Sequence, residues 1–283
     1  MGVNTKAMLR IALGVVIGSL AVFATLKHRQ PESPYPTRAE IESMENNAAA
    51  PAHTLQRDVL LKTRRSTVRV FSSNEHGVVG AQTGTYFHVF ERYFVLTTAH
   101  GILGDCDATK IFTEGGIVDC VSFAEVDRET DYAIIEIPKL ADHIPMEVDR
   151  DIPRGASAWT SELGVMTRIF YTGYPNGMGP LTLSGYIAGY GAHDYILLNS
   201  YAWSGSSGAG VFSASGKYIG YVLAVDVGES HMGLPQVIED IVVMVPAYKI
   251  NWESAREIAS QDTGPTGPEL PESFDTSNYS IDF

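Results

Sequence analysis

The stretch Gly-Ser-Ser-Gly-Ala-Gly at 205–210 is the part of the chain best suited to hold a reactive side chain. Ser207 stands among three glycines, between two apolar segments. Glycines let the backbone turn tightly and leave its N–H groups facing outward. A serine hydroxyl beside such N–H groups is how acyl-transfer enzymes place a nucleophile next to an oxyanion hole. Alone, the pattern is also typical of an ordinary turn between strands. A catalytic role for Ser207 therefore requires partner residues elsewhere in the chain.

Two further segments supply those partners. An apolar run at 93–99 ends on His100, and an acidic turn delivers Asp131 at the start of the next apolar run. The order His100, Asp131, Ser207 is that of chymotrypsin-type triads, and differs from that of subtilisins and of α/β-hydrolases. Asp127 is a rival for the acid. Asp131 is favoured because the beginning of a strand fixes the position of a side chain better than a charged turn does.

Six segments, in the same order, resemble those of trypsin-like serine proteases, and among these the compact HtrA-like type. The resemblance extends from about Ser66 to about Ile250. The segments are Gly-Thr-Tyr-Phe at 84–87, Leu-Thr-Thr-Ala-His at 96–100, a hairpin at 111–127 leading to 131–134, Gly-Tyr-Pro-Asn-Gly at 173–177, the loop at 205–209 and the strand at 218–222. Ala209 replaces the glycine of the family pattern. An alanine at this position requires a negative φ. Gly210 replaces the usual proline.

The resemblance implies an all-β fold of two six-stranded antiparallel β-barrels of the chymotrypsin/trypsin type, with the site between them. The short apolar runs broken by turn residues favour the same fold class independently. In the implied mechanism Ser207 is the nucleophile, His100 the general base and Asp131 the residue that orients the imidazole. The backbone N–H groups of Gly205 and Ser207 form the oxyanion hole, and neither a metal nor another cofactor is required.

The resemblance implies that three residues contact P1, the substrate residue immediately before the scissile bond. Tyr201 stands six residues before the serine, where relatives place the base of the S1 pocket. Val222 stands where relatives that select Gln or Glu have a histidine, and Ala224 is nearby. These types favour an apolar P1 residue, although Asp226 is close enough in sequence to alter that preference.

The N-terminal segment, residues 1–27, is expected to be a transmembrane anchor or a signal peptide. Residues 11–26 carry no charged side chain, and basic residues lie on both sides. A run of sixteen residues is short for a membrane span, and a signal peptide fits as well. Lys27 and Arg29 mildly favour an uncleaved anchor. The expected location is therefore a single-pass membrane anchor or export, extracytoplasmic rather than cytoplasmic.

The remaining chain divides into segments by composition. We expect a Pro/Glu/Ala-rich stalk, a protease domain containing both barrels and a closing helix, and an acidic tail. Their bounds are 28–58 for the stalk, 59–258 for the domain, about 62–140 and 158–246 for the barrels, 247–258 for the helix and 259–283 for the tail. The tail contains aromatic residues, so a short docking motif is an alternative to a solvated tail. The segment after 246 is too short for the PDZ module of HtrA proteases.

The net charge of −13 argues against nucleic-acid binding, which requires clustered positive charge. Cys106 and Cys120 do not make a disulfide framework. Pairing across the hairpin is an open alternative, but free buried thiols are slightly preferred, because strand pairing near 114–115 places the two residues out of register. The sequence therefore predicts a serine endopeptidase that acts on polypeptides, with no bound metal. The alternatives are a catalytically silent peptide-binding module on the same fold, or a viral maturation protease instead of a cellular one. The oligomeric state stays open.

Overall fold

The computed structural model describes residues 51–229 and 235–261, and most of their regular structure is β. The helices are α1 (Pro51–Arg65), α2 (Val148–Asp151), α3 (Gly155–Glu162) and α4 (Trp252–Ser260). The strands are β1 (Thr67–Ser73), β2 (Val79–Val89), β3 (Arg92–Thr97), β4 (Thr109–Thr113), β5 (Gly116–Asp119), β6 (Ser122–Asp127), β7 (Tyr132–Ile137), β8 (Met146–Glu147), β9 (Arg168–Gly173), β10 (Leu181–Tyr190), β11 (Ile196–Asn199), β12 (Gly210–Ser213), β13 (Tyr218–Glu229) and β14 (Pro235–Pro246).

The first half of the domain is an open half-barrel. Its strands follow the order β5-β4-β1-β2-β3-β7-β6, and the short β8 pairs in parallel with β2. Strands β5 and β6 each pair with one neighbour, so the sheet does not close into the six-stranded barrel that the resemblance implied. Strand β7 is buried along its whole length, as expected for the apolar run after Asp131.

The second half closes into a six-stranded antiparallel barrel in the order β10-β11-β14-β13-β12-β9. Alternation of side chains supports the closure. In β11, for example, Ile196 and Leu198 are buried in the barrel while Asn199 is exposed. The described chain therefore has the expected all-β, chymotrypsin-like fold, with one closed barrel and one half-barrel.

Helix α1 packs against the second half and the segment that joins the two halves, and it begins within the predicted stalk. Lys62 on this helix forms an ion pair of 2.9 Å with Asp151 and donates to the Gly216 carbonyl at 2.8 Å. The Thr63 hydroxyl contacts that of Thr172 at 2.9 Å. Residues 51–58 of the expected stalk are thus helical, and 28–50 lie outside the described residues.

The expected C-terminal helix is present as α4. The Asn251 side chain caps it by accepting the Glu253 N–H at 3.3 Å, which satisfies a donor left unpaired at a helix start. Trp252, in its first turn, packs edge-on against Phe87 with ring centroids 5.1 Å apart. The helix therefore connects the end of the second barrel to the core of the first half.

The preferred interpretation of the cysteines as free thiols was wrong. Cys106 and Cys120 form a disulfide, with Cα atoms 5.3 Å apart. Lys110 pairs with Asp119 in the β4–β5 hairpin, so strand register places Cys120 beside Thr109 and not beside Cys106. A tight turn, closed by the Thr109 N–H to the Cys106 carbonyl at 3.0 Å, folds Cys106 back beside it.

The predicted N-terminal anchor at 11–26 and the acidic tail beyond Gln261 lie outside the described residues. Of the helices in 51–229 and 235–261, none is long and apolar enough to cross a membrane.

Candidate active site

Sheet register brings His100 and Asp131 to the same edge of the first half. Thr97, at the end of β3, pairs with Ala133 near the start of β7, so the residues just after one strand and just before the other are neighbours. The His100 Nδ1 atom lies 2.6 Å from Asp131 Oδ2, and the His100 backbone N–H donates to Asp131 Oδ1 at 2.7 Å. The carboxylate therefore holds both the ring and the backbone of the histidine.

A left-handed backbone at Asp131 lets its carboxylate face the histidine. Its φ is +64°, a conformation that aspartate tolerates better than most residues. The Tyr221 hydroxyl, on β13 of the closed barrel, donates to the Thr130 carbonyl at 2.9 Å and lies 3.3 Å from the Asp131 carbonyl. Burial raises the pKa of Tyr221, so this hydroxyl stays protonated and remains a donor.

Asp127, the rival acid, has a different task in the structure. Its Oδ1 accepts the backbone N–H groups of Glu129 and Thr130 at 2.8 and 3.1 Å. Burial acts to raise the pKa of Asp127, but these bonds outweigh it and the pKa is lowered. Asp127 therefore shapes the turn that precedes Asp131, without a contact to His100.

Two side chains hold the backbone around His100. The Arg128 guanidinium donates to the carbonyls of Ala99 and Ile102 at 2.9 and 3.1 Å. The Gln82 amide donates to the Thr98 carbonyl at 2.9 Å. The segment that carries the histidine is thus tied on one side to the aspartate loop and on the other to β2.

The glycine-flanked loop that carries Ser207 is bound to β2 through Thr83. The Thr83 N–H donates to the Ser207 carbonyl at 3.0 Å, and its hydroxyl donates to the Gly205 carbonyl at 2.7 Å. Gly208 has a φ of +86°, and a Cβ atom there would lie 2.7 Å from the Thr97 hydroxyl. Only glycine allows this loop to approach the strand that leads to His100.

The loop leaves two N–H groups open on either side of a bonded one. The Ser206 N–H donates to the Trp203 carbonyl at 2.9 Å. The N–H groups of Gly205 and Ser207 have no acceptor within the part of the chain that the structure describes. Gly205 has a φ of +92°, and a Cβ there would lie 2.5 Å from the Tyr174 carbonyl oxygen. Two free donors in the loop that carries the serine have the chemistry to stabilise an oxyanion.

The structure joins two of the three predicted catalytic side chains directly. Within the described residues no hydrogen bond links Ser207 to His100, and the His100 Nε2 atom contacts the Thr98 hydroxyl at 3.5 Å. Bonds between a nucleophile and its base are commonly long in the absence of substrate and tighten on binding. The imidazole is half exposed, so the ring is accessible to an incoming substrate.

The predicted pocket residues do not share one environment. Tyr201 is 54% exposed and stacks with the exposed Trp203, with ring centroids 6.2 Å apart. Ala224 is exposed as well, whereas Val222 is fully buried in the core of the closed barrel. The side chain of Asp226 lies outside the described residues. Ala209, the departure from the family glycine, is buried with a backbone that does not have a positive φ.

The family model of the trypsin-like peptidase domain matches residues 77–220, about half of the chain. The chain belongs to this family. The match includes His100, Asp131 and Ser207 as well as most of both sheets. The chain is therefore a trypsin-like serine peptidase in family and in fold. Among curated proteins, none matches this sequence.

Solved structures of bacterial proteases share the fold. A serine endoprotease from Yersinia pestis superposes with a TM-score of 0.53 at 18% identity, covering 71% of this chain and 66% of its own. The chain thus spans less than two thirds of that relative. The active form of the Rv3671c protease from M. tuberculosis gives a TM-score of 0.54 at 18% identity over 78% of this chain and 91% of its own. The inactive serine-to-alanine mutant of the same protease gives a TM-score of 0.53 at 16% identity, covering 77% of this chain and 98% of its own.

Residues that position the site were missed in the sequence. Thr83, Arg128 and Tyr221 act through backbone carbonyls, which leave no motif. One signal was available for Tyr221. It stands in an otherwise apolar strand, and a buried tyrosine hydroxyl needs a partner.

Proposed function

We propose that this trypsin-like peptidase is an active endopeptidase in which Ser207 is the nucleophile, His100 the general base and Asp131 the residue that orients the imidazole. The observation that supports this most is the contact of 2.6 Å between His100 Nδ1 and Asp131 Oδ2. It leaves Nε2 as the ring nitrogen that is not bonded to Asp131, and Nε2 is the atom that a triad needs to accept the serine proton.

In the proposed reaction His100 Nε2 takes the proton of Ser207 as the hydroxyl oxygen attacks the peptide carbonyl carbon. The negative charge on the carbonyl oxygen is received by the N–H groups of Gly205 and Ser207, and each such donor contributes roughly 3–4 kcal/mol. The imidazolium, stabilised by Asp131, then protonates the leaving amine. Water repeats the sequence to release the acyl group, with His100 again as base.

A digest of a peptide library tests the assignment of the nucleophile. Purified wild-type chain, Ser207→Ala and the control Ser204→Ala are compared by mass spectrometry. Ser204 is exposed on the same loop, so the control changes a hydroxyl without touching the proposed machinery. We expect Ser207→Ala to lose about 10⁴-fold or more in rate and Ser204→Ala to stay near wild type. Cleavage by Ser207→Ala at the wild-type rate would refute the proposal.

The same digest reports specificity, for which we propose small or medium apolar P1 residues such as Ala, Val, Leu or Met. Tyr201, Trp203 and Ala224 are exposed and carry no charge, so they offer no partner to a charged P1 group. Burying such a group unpaired costs about 1–3 kcal/mol, which is roughly a tenfold to hundredfold bias. Dominant cleavage after Lys or Arg would contradict this and would implicate Asp226. Dominant cleavage after Gln or Glu would instead contradict the alignment at Val222.

We also propose that residues 11–26 tether the peptidase to a membrane, with the catalytic domain outside the cytoplasm. The support is the uncharged run and its basic flanks, since flanking lysine and arginine reach the interface while an apolar segment is inserted. The full chain is expected to sediment with membranes and to be released by detergent but not by high salt. Release by salt alone would show peripheral binding instead.

A further inference from the structure

A groove apart from the proposed active site has aromatic walls and a basic rim. It lies between the segment that joins the two halves and helix α4, and it has a volume of about 190 Å³. Trp159, Tyr248 and Trp252 form its walls, and Trp159 meets Tyr248 edge-on with centroids 5.3 Å apart. An apolar cavity of about 150 Å³ holds a benzene molecule, so the groove has room for one aromatic ring.

Two arginines give this groove a basic rim. Arg154 and Arg256 line it, and no carboxylate is among the described side chains that do so. Carboxylates that do not line the groove already pair with both arginines: Asp149 Oδ1 lies 2.8 Å from Arg256 and is also bonded to Arg154, and Glu253 forms a second ion pair with Arg256. A guanidinium has five N–H donors, so each retains donors for an anionic group in the groove.

The segment 262–283 of this chain has the complementary composition. It contains five acidic residues and no Lys, Arg or His. Aromatic side chains alternate with short polar residues near its end, namely Phe274, Tyr279 and Phe283. A ring to fill an aromatic groove and carboxylates to meet two arginines are therefore present in one stretch of about ten residues.

Chain length permits this segment to reach the groove. The described residues end at Gln261, directly after α4. Trp252 lies at the other end of that helix, about 12 Å away at 1.5 Å per residue. The residues from Asp262 to Phe274 extend to about 40 Å, so they can turn back along the helix with length to spare.

We propose that the segment 274–283 docks in this groove within the same molecule, placing one aromatic ring between Trp159, Tyr248 and Trp252. Its carboxylates pair with Arg154 and Arg256. The docked segment covers an apolar surface that a monomer would otherwise expose to water.

Photo-crosslinking in the full chain tests the proposal. Tyr279→p-benzoylphenylalanine is irradiated in detergent, and the attachment sites are mapped by mass spectrometry. We expect crosslinks within one molecule, to residues 148–159 or 247–256. Crosslinks that appear in a dimer band would assign the groove to a second copy and overturn the proposal. Crosslinks elsewhere, to another protein, or none at all would overturn it as well.

Charge variants in the same full chain test whether the crosslink depends on the proposed ion pairs and not only on the proximity of the tail. Arg154→Glu is expected to lower the crosslink yield about threefold to tenfold at low salt, whereas Arg57→Glu, an exposed arginine on α1, should leave it unchanged. On the tail side, joint replacement of Asp275 and Asp282 by Asn should lower the yield comparably. The control replaces Thr276 and Ser277 by Ala. Equal yields in all of these variants would show that charge plays no part.

Discussion

The hydrogen bonds around Asp131 explain how a carboxylate at a strained position is held against His100. The backbone there has a φ of +64°, and the loop is fixed from the closed barrel by the Tyr221 hydroxyl, 2.9 Å from the Thr130 carbonyl. A residue of the second half thus positions an acid that belongs to the first. If the proposed proton transfer takes place, we expect the orientation of the imidazole to depend on this contact.

Tyr221→Phe is therefore expected to lower kcat with little change in KM. Loss of the hydroxyl leaves the Asp131 loop free to shift, and a displacement of about 1 Å in a catalytic group costs on the order of 10²-fold in rate. Steady-state kinetics on one apolar peptide gives the two constants separately. Tyr186→Phe, which removes an exposed hydroxyl on β10, serves as the control. If Tyr221→Phe retained the wild-type kcat, the contact would have no part in positioning.

One of the contacts that attach helix α1 to the domain is made by a buried carboxylate. Asp151 is 5% exposed and lies 2.9 Å from Lys62 Nζ. Burial acts to raise the pKa of Asp151, but bonds from Arg150, from Lys62 and from the Glu147 N–H outweigh it, so the pKa is lowered. The folded chain then binds this proton less readily than the unfolded chain does. The ionised carboxylate stabilises the fold above the ordinary aspartate pKa of about 4, and this contribution is lost as the pH falls through the lower, folded value.

Asp151→Asn is expected to lower the free energy of unfolding by about 1–3 kcal/mol at pH 7. The difference from wild type should shrink as the pH falls below about 4, because the unfolded wild-type chain takes up the proton there and the folded chain does so only at its lower pKa. Urea unfolding of the wild type and the variant at pH 7 and at pH 3 measures this difference. The control is Asp119→Asn, an exposed partner of Lys110, which should cost less than about 1 kcal/mol. A difference that stays constant from pH 7 to pH 3 would contradict the role of the charge.

For the molecule as a whole, local patterns predicted the kind of fold. The apolar run of β7 and the glycine loop around Ser207 follow from periodicity and turn chemistry. Closure of a sheet depends on pairings between distant strands, so the open first half was not visible in the sequence. The Cys106–Cys120 disulfide depends on a single turn at 106–109, which strand register does not reveal. Thr83 and Tyr221 hold the two loops through backbone groups that any sequence offers, and only the assembled fold shows them.

Covalent labelling tests whether Ser207 is a nucleophile activated by His100. The full chain is treated with a fluorophosphonate probe, digested, and the modified serine is located by mass spectrometry. We expect one adduct, on Ser207, with Ser204→Ala labelled like wild type. Ser207→Ala should show no adduct and His100→Ala should react about 10³-fold more slowly or worse. An adduct on another serine, or equal labelling of Ser207→Ala and wild type, would contradict this role.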